Sequence, residues 1–124
     1  MRRRRRDGIS TSLDGASAFV ELHGELDINS VVQIEEGVLA LLDGPVERIV
    51  IDFADAEFVD SKAIEALMRV ARAARAAGVA IVAAGASGPV ARVLAVCGLD
   101  HAMPVFATRA DALAATGARG DGGS

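Results

Sequence analysis

Tryptophan and tyrosine are absent from the sequence, and its only aromatic residues are four phenylalanines. Binders of single-stranded nucleic acid stack bases on aromatic rings, so this chain has little with which to do that. Cysteine occurs once, at Cys97. No internal disulfide can form, and a disulfide-stapled extracellular scaffold is excluded. The apolar runs are broken by charges or glycine before they reach the roughly 18 residues of a membrane-spanning helix. No apolar stretch of the length a signal peptide needs follows the N-terminal arginines. The expectation is a cytoplasmic protein with no membrane insertion.

What is present is aliphatic. Hydrophobic residues make up 52% of 124 residues, mostly Ala, Val, Leu and Ile, enough to bury the core of one domain. Net charge is −4, unevenly spread: Arg2 to Arg6 hold five of the 13 basic residues, and the rest of the chain sets eight against 17 acids. An acidic body argues against direct nucleic-acid binding. Residues 1–8 read as a disordered basic tail, residues 9–116 as the domain, and the Gly-rich residues 117–124 as a flexible tail.

Periodicity gives the order of elements. Residues 18–23 (AFVELH) alternate as a strand, and residues 11–13 offer a shorter one before it across Asp14-Gly15. Gly24 to Asp27 then leave the strand. Val31, Ile34, Val38, Leu41 and Leu42 share a helical face, with Asn29 or Ser30 as its cap and Asp43-Gly44-Pro45 as its stop. Residues 48–53 (RIVIDF) form a second core strand, followed by a loop over 54–59. A helix starts at Asp60-Ser61, its buried stripe being Ile64, Leu67, Met68, Ala71 and Ala74. Residues 79–84 are a buried strand. A third helix starts near Pro89 with Val90, Val93, Leu94 and Cys97 inward, so Cys97 is expected to be a buried, inert thiol. Residues 104–106 form a last short strand, and Thr108 caps a fourth helix. This is an α/β domain: a mixed, mostly parallel sheet of four to five strands with about four helices packed on it.

Catalytic signatures are missing. There is no HExxH, no CxxC pair and no P-loop; residues 85–88 (GASG) are too short and lack its lysine. His23 and His101 read as surface histidines. No metal or cofactor is expected, nor enzymatic activity. The informative segment is Phe58-Val59-Asp60-Ser61-Lys62-Ala63, at a helix N-terminus. An Asp or Ser there caps free amides. A phosphorylated serine is also well placed there, because the helix dipole and its amides favour an anion.

Three ordered features resemble the STAS domain of anti-sigma factor antagonists. They are Gly24-Glu25-Leu26-Asp27 after an early strand, Ile49-Val50-Ile51-Asp52-Phe53 leading to Asp60-Ser61, and the strand from Gly78 leading to Pro89 and Gly98-Leu99. The resemblance implies a STAS-like fold. It also implies partner switching: the antagonist binds an anti-sigma factor that is a serine kinase and so frees a sigma factor. The kinase, with its own ATP and Mg²⁺, phosphorylates the antagonist, and a phosphatase resets it. Ser61 is then the phosphoacceptor, and Asp27, Asp60, Lys62 and Ala63 contribute to partner and kinase recognition. Lys62 stands where the family has a second small hydroxyl residue, and Ala63 where it has glycine. An accessory subunit of a membrane transport complex, with no phosphorylation, is the alternative reading.

Overall fold

The computed structural model describes residues 8–116. The expected basic and Gly-rich tails otherwise lie outside the described residues; Gly8 already belongs to the first strand. The elements are β1 (Gly8–Asp14), β2 (Ser17–Leu26), a 3-10 turn (Ile28–Ser30), α1 (Val31–Leu42), β3 (Arg48–Val59), α2 (Ser61–Ala76), β4 (Ala80–Ala84), α3 (Gly88–Val96), α4 (Leu99–Ala102), β5 (Val105–Phe106) and α5 (Arg109–Ala115). Sheet order is β1-β2-β3-β4-β5. β1 runs antiparallel to β2, and all other pairs are parallel. The expected fold class holds, with five strands.

Alternation along the strands separates two apolar layers. Val20 and Leu22 of β2, Ile49, Ile51 and Phe53 of β3, and Ile81 and Ala83 of β4 face one side. There they meet Ile34 and Val38 of α1, the α2 stripe, Val90 and Leu94 of α3, and Leu99 of α4. Phe19, Val50, Val82 and Ala84 face the other side, where α5 covers them through Ala112. β3 and β4 are therefore apolar on both faces, which explains their unbroken Ile-Val-Ile and Ile-Val-Ala runs.

Four local expectations need correction. Residues 54–59 are not a loop: β3 runs on to Val59, pairing Asp55 with His23 and Val59 with Leu26 across two register shifts. Gly24 does not end β2, which continues to Leu26; the glycine takes φ 71 next to one of the shifts and re-aims the strand. Ser30 stands at the N-cap of α1 as expected but makes no side-chain capping bond to it; the side-chain cap is Asp27, one turn earlier, at the start of the 3-10 turn that leads into the helix. Cys97 is exposed, not buried. It is the C-cap of α3, and Gly98 at φ 80 turns the chain, so Leu99 of α4 continues the core in its place.

Candidate functional site

The carboxyl ends of β2 and β3 lie side by side, because Leu26 pairs with Val59. Ligands and partners of open parallel sheets gather at such strand ends. Each strand is followed at once by an aspartate. The Asp27 carboxylate accepts from the Asn29 N–H at 2.9 Å, and the Ser30 hydroxyl accepts from the Asp27 N–H at 3.1 Å. This reciprocal box starts the helical segment that becomes α1. Asp60 leaves β3 in an extended conformation, and its carboxylate accepts from the Ala63 N–H at 3.0 Å. The Asp60 N–H donates to the Leu26 carbonyl at 3.0 Å, tying the two corners together.

Asp60 is therefore the N-cap of α2, and Ser61 is relieved of that task. Ser61 is the first residue of the helix and is exposed. Among the described residues its hydroxyl makes no hydrogen bond. Lys62, next to it, is exposed and pairs with Glu65 one turn on, Nζ to Oε1 3.7 Å. Ala63 is 0% exposed and packs in the main core. Its methyl faces the protein interior, so its effect on a partner is indirect. The sequence-derived residues thus divide: Ser61 and Lys62 face outward, Asp27 and Asp60 hold the two corners, and Ala63 is internal. Large apolar side chains border the same strand ends in sequence and are open to solvent: Ile28 at 62%, Val32 at 59% and Phe58 at 50% exposure. They were not singled out from the sequence as an exposed apolar set.

Sequence reading also missed a charged cluster on the α5 side of the sheet. Arg109, the first residue of α5, donates to Glu21 Oε2 at 2.8 Å and to Asp52 Oδ2 at 2.8 Å. Its guanidinium lies over the Phe19 ring, 4.3 Å from the centroid. Burial lowers the Arg109 pKa, but hydrogen bonds and charge from Asp52 and Glu21 outweigh that and raise it. Farther out on this face, the Ser10 hydroxyl is 2.8 Å from His23 Nε2, and His23 Nδ1 is 3.5 Å from Asp55. The three groups link β1, β2 and β3, and Asp55 is mostly in solvent. Among the described residues no group of three or more His, Cys, Asp or Glu side chains is arranged to hold a metal ion, and no helix is long and apolar enough to cross a membrane.

A family model described as "Mlab, STAS domain" matches residues 9–107. No curated protein sequence matches the chain. Among solved structures, an anti-sigma factor antagonist from Mycobacterium paratuberculosis is 26% identical with a TM-score of 0.73, over 86% of this chain and 91% of that one. The anti-sigma factor antagonist SpoIIAA in its unphosphorylated form is 23% identical with a TM-score of 0.76, over 91% and 99%. The phosphorylated form of Bacillus SpoIIAA also superposes, with a TM-score of 0.67 over 87% and 98% at 23% identity. A sulfate transporter family protein from Wolinella succinogenes shares the fold at 17% identity, with a TM-score of 0.74 over 86% and 89%. With four-fifths of its length matched by the family model and its sheet and helices in the same arrangement, the chain belongs to the STAS domain family.

Proposed function

We propose that this protein is a cytoplasmic anti-sigma factor antagonist that works by binding rather than catalysis. Its partner is an anti-sigma factor with serine kinase activity, which brings ATP and Mg²⁺, and binding releases a sigma factor. Phosphorylation of Ser61 ends the complex, and a phosphatase restores it. The observation that carries this reading is the division of labour at α2. Asp60 caps the helix, which leaves the Ser61 hydroxyl exposed at the helix N-terminus and, among the described residues, without a hydrogen bond.

The chemistry follows from that position. A phosphoserine carries about −1.5 to −2 charges at neutral pH. At the first turn of a 16-residue helix, the dipole and free amides offset the added charge, so the fold tolerates it. A partner packed against Ile28, Val32 and Phe58 has no such compensation. It meets a dianion that must be desolvated inside the contact. Lys62, the next residue, is a cation at this corner, and its pairing with Glu65 is exposed and weak, so it is free to turn toward a phosphate.

Intact-mass spectrometry of the protein isolated with its native partners, beside Ser61→Ala, tests the proposal. The expected result is one phosphate localised to Ser61, absent from the variant, and a kinase-like anti-sigma protein co-purifying with the unphosphorylated form. The alternative, an unphosphorylated accessory subunit of a membrane transport complex, draws support from the Mlab description of the matching family and from the replaced motif positions Lys62 and Ala63. Co-purification with a transporter component and no phosphate under any condition decides for that alternative.

A further inference from the structure

The sheet ends in two edges that differ in kind. β5 is two residues long and follows Pro104. Short length and proline are usual protections of an edge against pairing with another chain. β1 is seven residues long, and from Ile9 to Leu13 it has no charge, proline or glycine. Its last five residues are exposed, Leu13 at 61%. An uncharged, exposed edge of this length is a template for another strand.

The strand also indicates which one. Its side chains are palindromic about Thr11: Ile9 and Leu13 are aliphatic, and Ser10 and Ser12 carry hydroxyls. In an antiparallel pair with a second copy centred on Thr11, Ile9 faces Leu13, Ser10 faces Ser12, and Thr11 faces itself. Each pair off the axis occurs twice, and Thr11 meets Thr11 on the axis itself, as an isologous two-fold contact requires. Faces match as well. Ile9, Thr11 and Leu13 pair with Leu22, Val20 and Ala18 of β2 and share their side of the sheet, whereas Ser10 and Ser12 lie on the α5 side. Pairing thus gives the exposed Leu13 an apolar neighbour and places hydroxyls opposite hydroxyls, both favourable cross-strand combinations.

We propose that β1 is a homodimer interface, joining two sheets into one of ten strands in the register centred on Thr11. β1 lies on the far side of β2 from β3 and α2, so the dimer presents two copies of the Ser61 corner. The inference does not depend on phosphorylation or on any other partner.

The test uses light scattering over a wide dilution series and cysteine cross-linking in a Cys97→Ser background. The wild-type chain should show the dimer mass at high concentration and dissociate on dilution. Thr11→Lys, which sets two like charges against each other on the two-fold axis, should be monomeric throughout with an unchanged far-ultraviolet circular dichroism spectrum. Thr11→Cys should oxidise to a covalent dimer, whereas Ser10→Cys and Ser12→Cys alone, each facing a serine, should cross-link far less. A wild-type chain monomeric at every concentration, a dimer that survives Thr11→Lys, or equal cross-linking at all three positions overturns the proposal.

Discussion

Asp60 and Ser61 are adjacent, yet the structure gives them separable roles, and substitutions should separate them. Asp60→Ala removes the acceptor for the Ala63 N–H and should cost about 1 kcal/mol, within the usual range for a lost N-cap. In a domain of this size that is a fall of about 3–5 °C in Tm. Asp60→Asn keeps an acceptor and should recover most of it. Ser61→Ala removes a hydroxyl that bonds nothing among the described residues and should change stability by less than about 0.5 kcal/mol while abolishing phosphate incorporation. Thermal denaturation of the three variants checks both statements. An Asp60→Ala protein as stable as wild type would show that the cap is energetically idle and that this aspartate serves another purpose. The sequence alone left the capping residue open, since Asp and Ser are both good N-caps. The answer lies in the backbone: Asp60 is extended and Ser61 is already helical, a distinction of dihedral angle that composition does not encode.

α5 shows what one residue can do for an element. It has seven residues, too few to be stable as an isolated helix. Thr108 caps it, accepting from the Asp111 N–H at 3.0 Å, and Ala112 packs on Phe19, Val50, Val82 and Ala84. Arg109 provides the remaining anchor. Arg109→Ala removes two carboxylate contacts and the stacking on Phe19, and leaves Glu21 and the largely buried Asp52 side by side. The expected loss is about 1–2 kcal/mol, with amide exchange faster in α5 and unchanged in α2. Arg109→Lys should recover only part, because an ammonium cannot span both carboxylates and stack on the ring at once. Because the Arg109 pKa is raised, its contribution is complete below the ordinary arginine range and is lost only as pH rises through the still higher folded value. The anchor's cation is thus constant from neutral to moderately alkaline pH. Gly85 supports the same cluster: at φ +84, a Cβ there would lie 2.7 Å from Asp52 Oδ1 and 3.2 Å from the Ala54 nitrogen. Gly85→Ala should cost at least about 1–2 kcal/mol from the left-handed backbone alone, measurable as a lower midpoint in urea. Elements differed in how well the sequence announced them. α2 was legible because Ile64, Leu67, Ala71 and Ala74 keep a helical period over about three turns. The outer half of β3 was not, because Ala54, Asp55, Glu57 and Phe58 are exposed on a bulged strand and carry no burial signal. The Arg109 cluster was invisible for another reason: its acids lie 57 and 88 residues away in sequence.

At the scale of the whole molecule, charge decides what a phosphate does. The chain carries −4, and phosphorylation of Ser61 would take it to about −6. Within the domain the new charge faces the N-terminus of α2, so the folded state should change little, with a Tm within a few degrees of the unmodified protein. Between molecules the same charge acts on whatever packs at the corner formed by Asp27, Asp60, Ile28 and Phe58. Release can then arise in two ways that ionic strength distinguishes. If long-range repulsion from an acidic partner dominates, raising salt shortens the Debye length from about 8 Å at physiological strength and should restore much of the lost affinity. If the penalty is desolvation of a dianion in a dry contact, salt should restore little, because buried charges are poorly screened. The exposed apolar side chains Ile28, Val32 and Phe58, which border the same strand ends in sequence, favour the second case. Titration calorimetry of unmodified, phosphorylated and Ser61→Glu proteins against the partner, at low and high salt, should therefore show a persistent loss for the phosphoprotein. Ser61→Glu, with one charge and a smaller hydration shell, should lose less affinity. Full recovery in high salt would reverse the assignment and place the switch in the acidic surface as a whole rather than in the contact at α2.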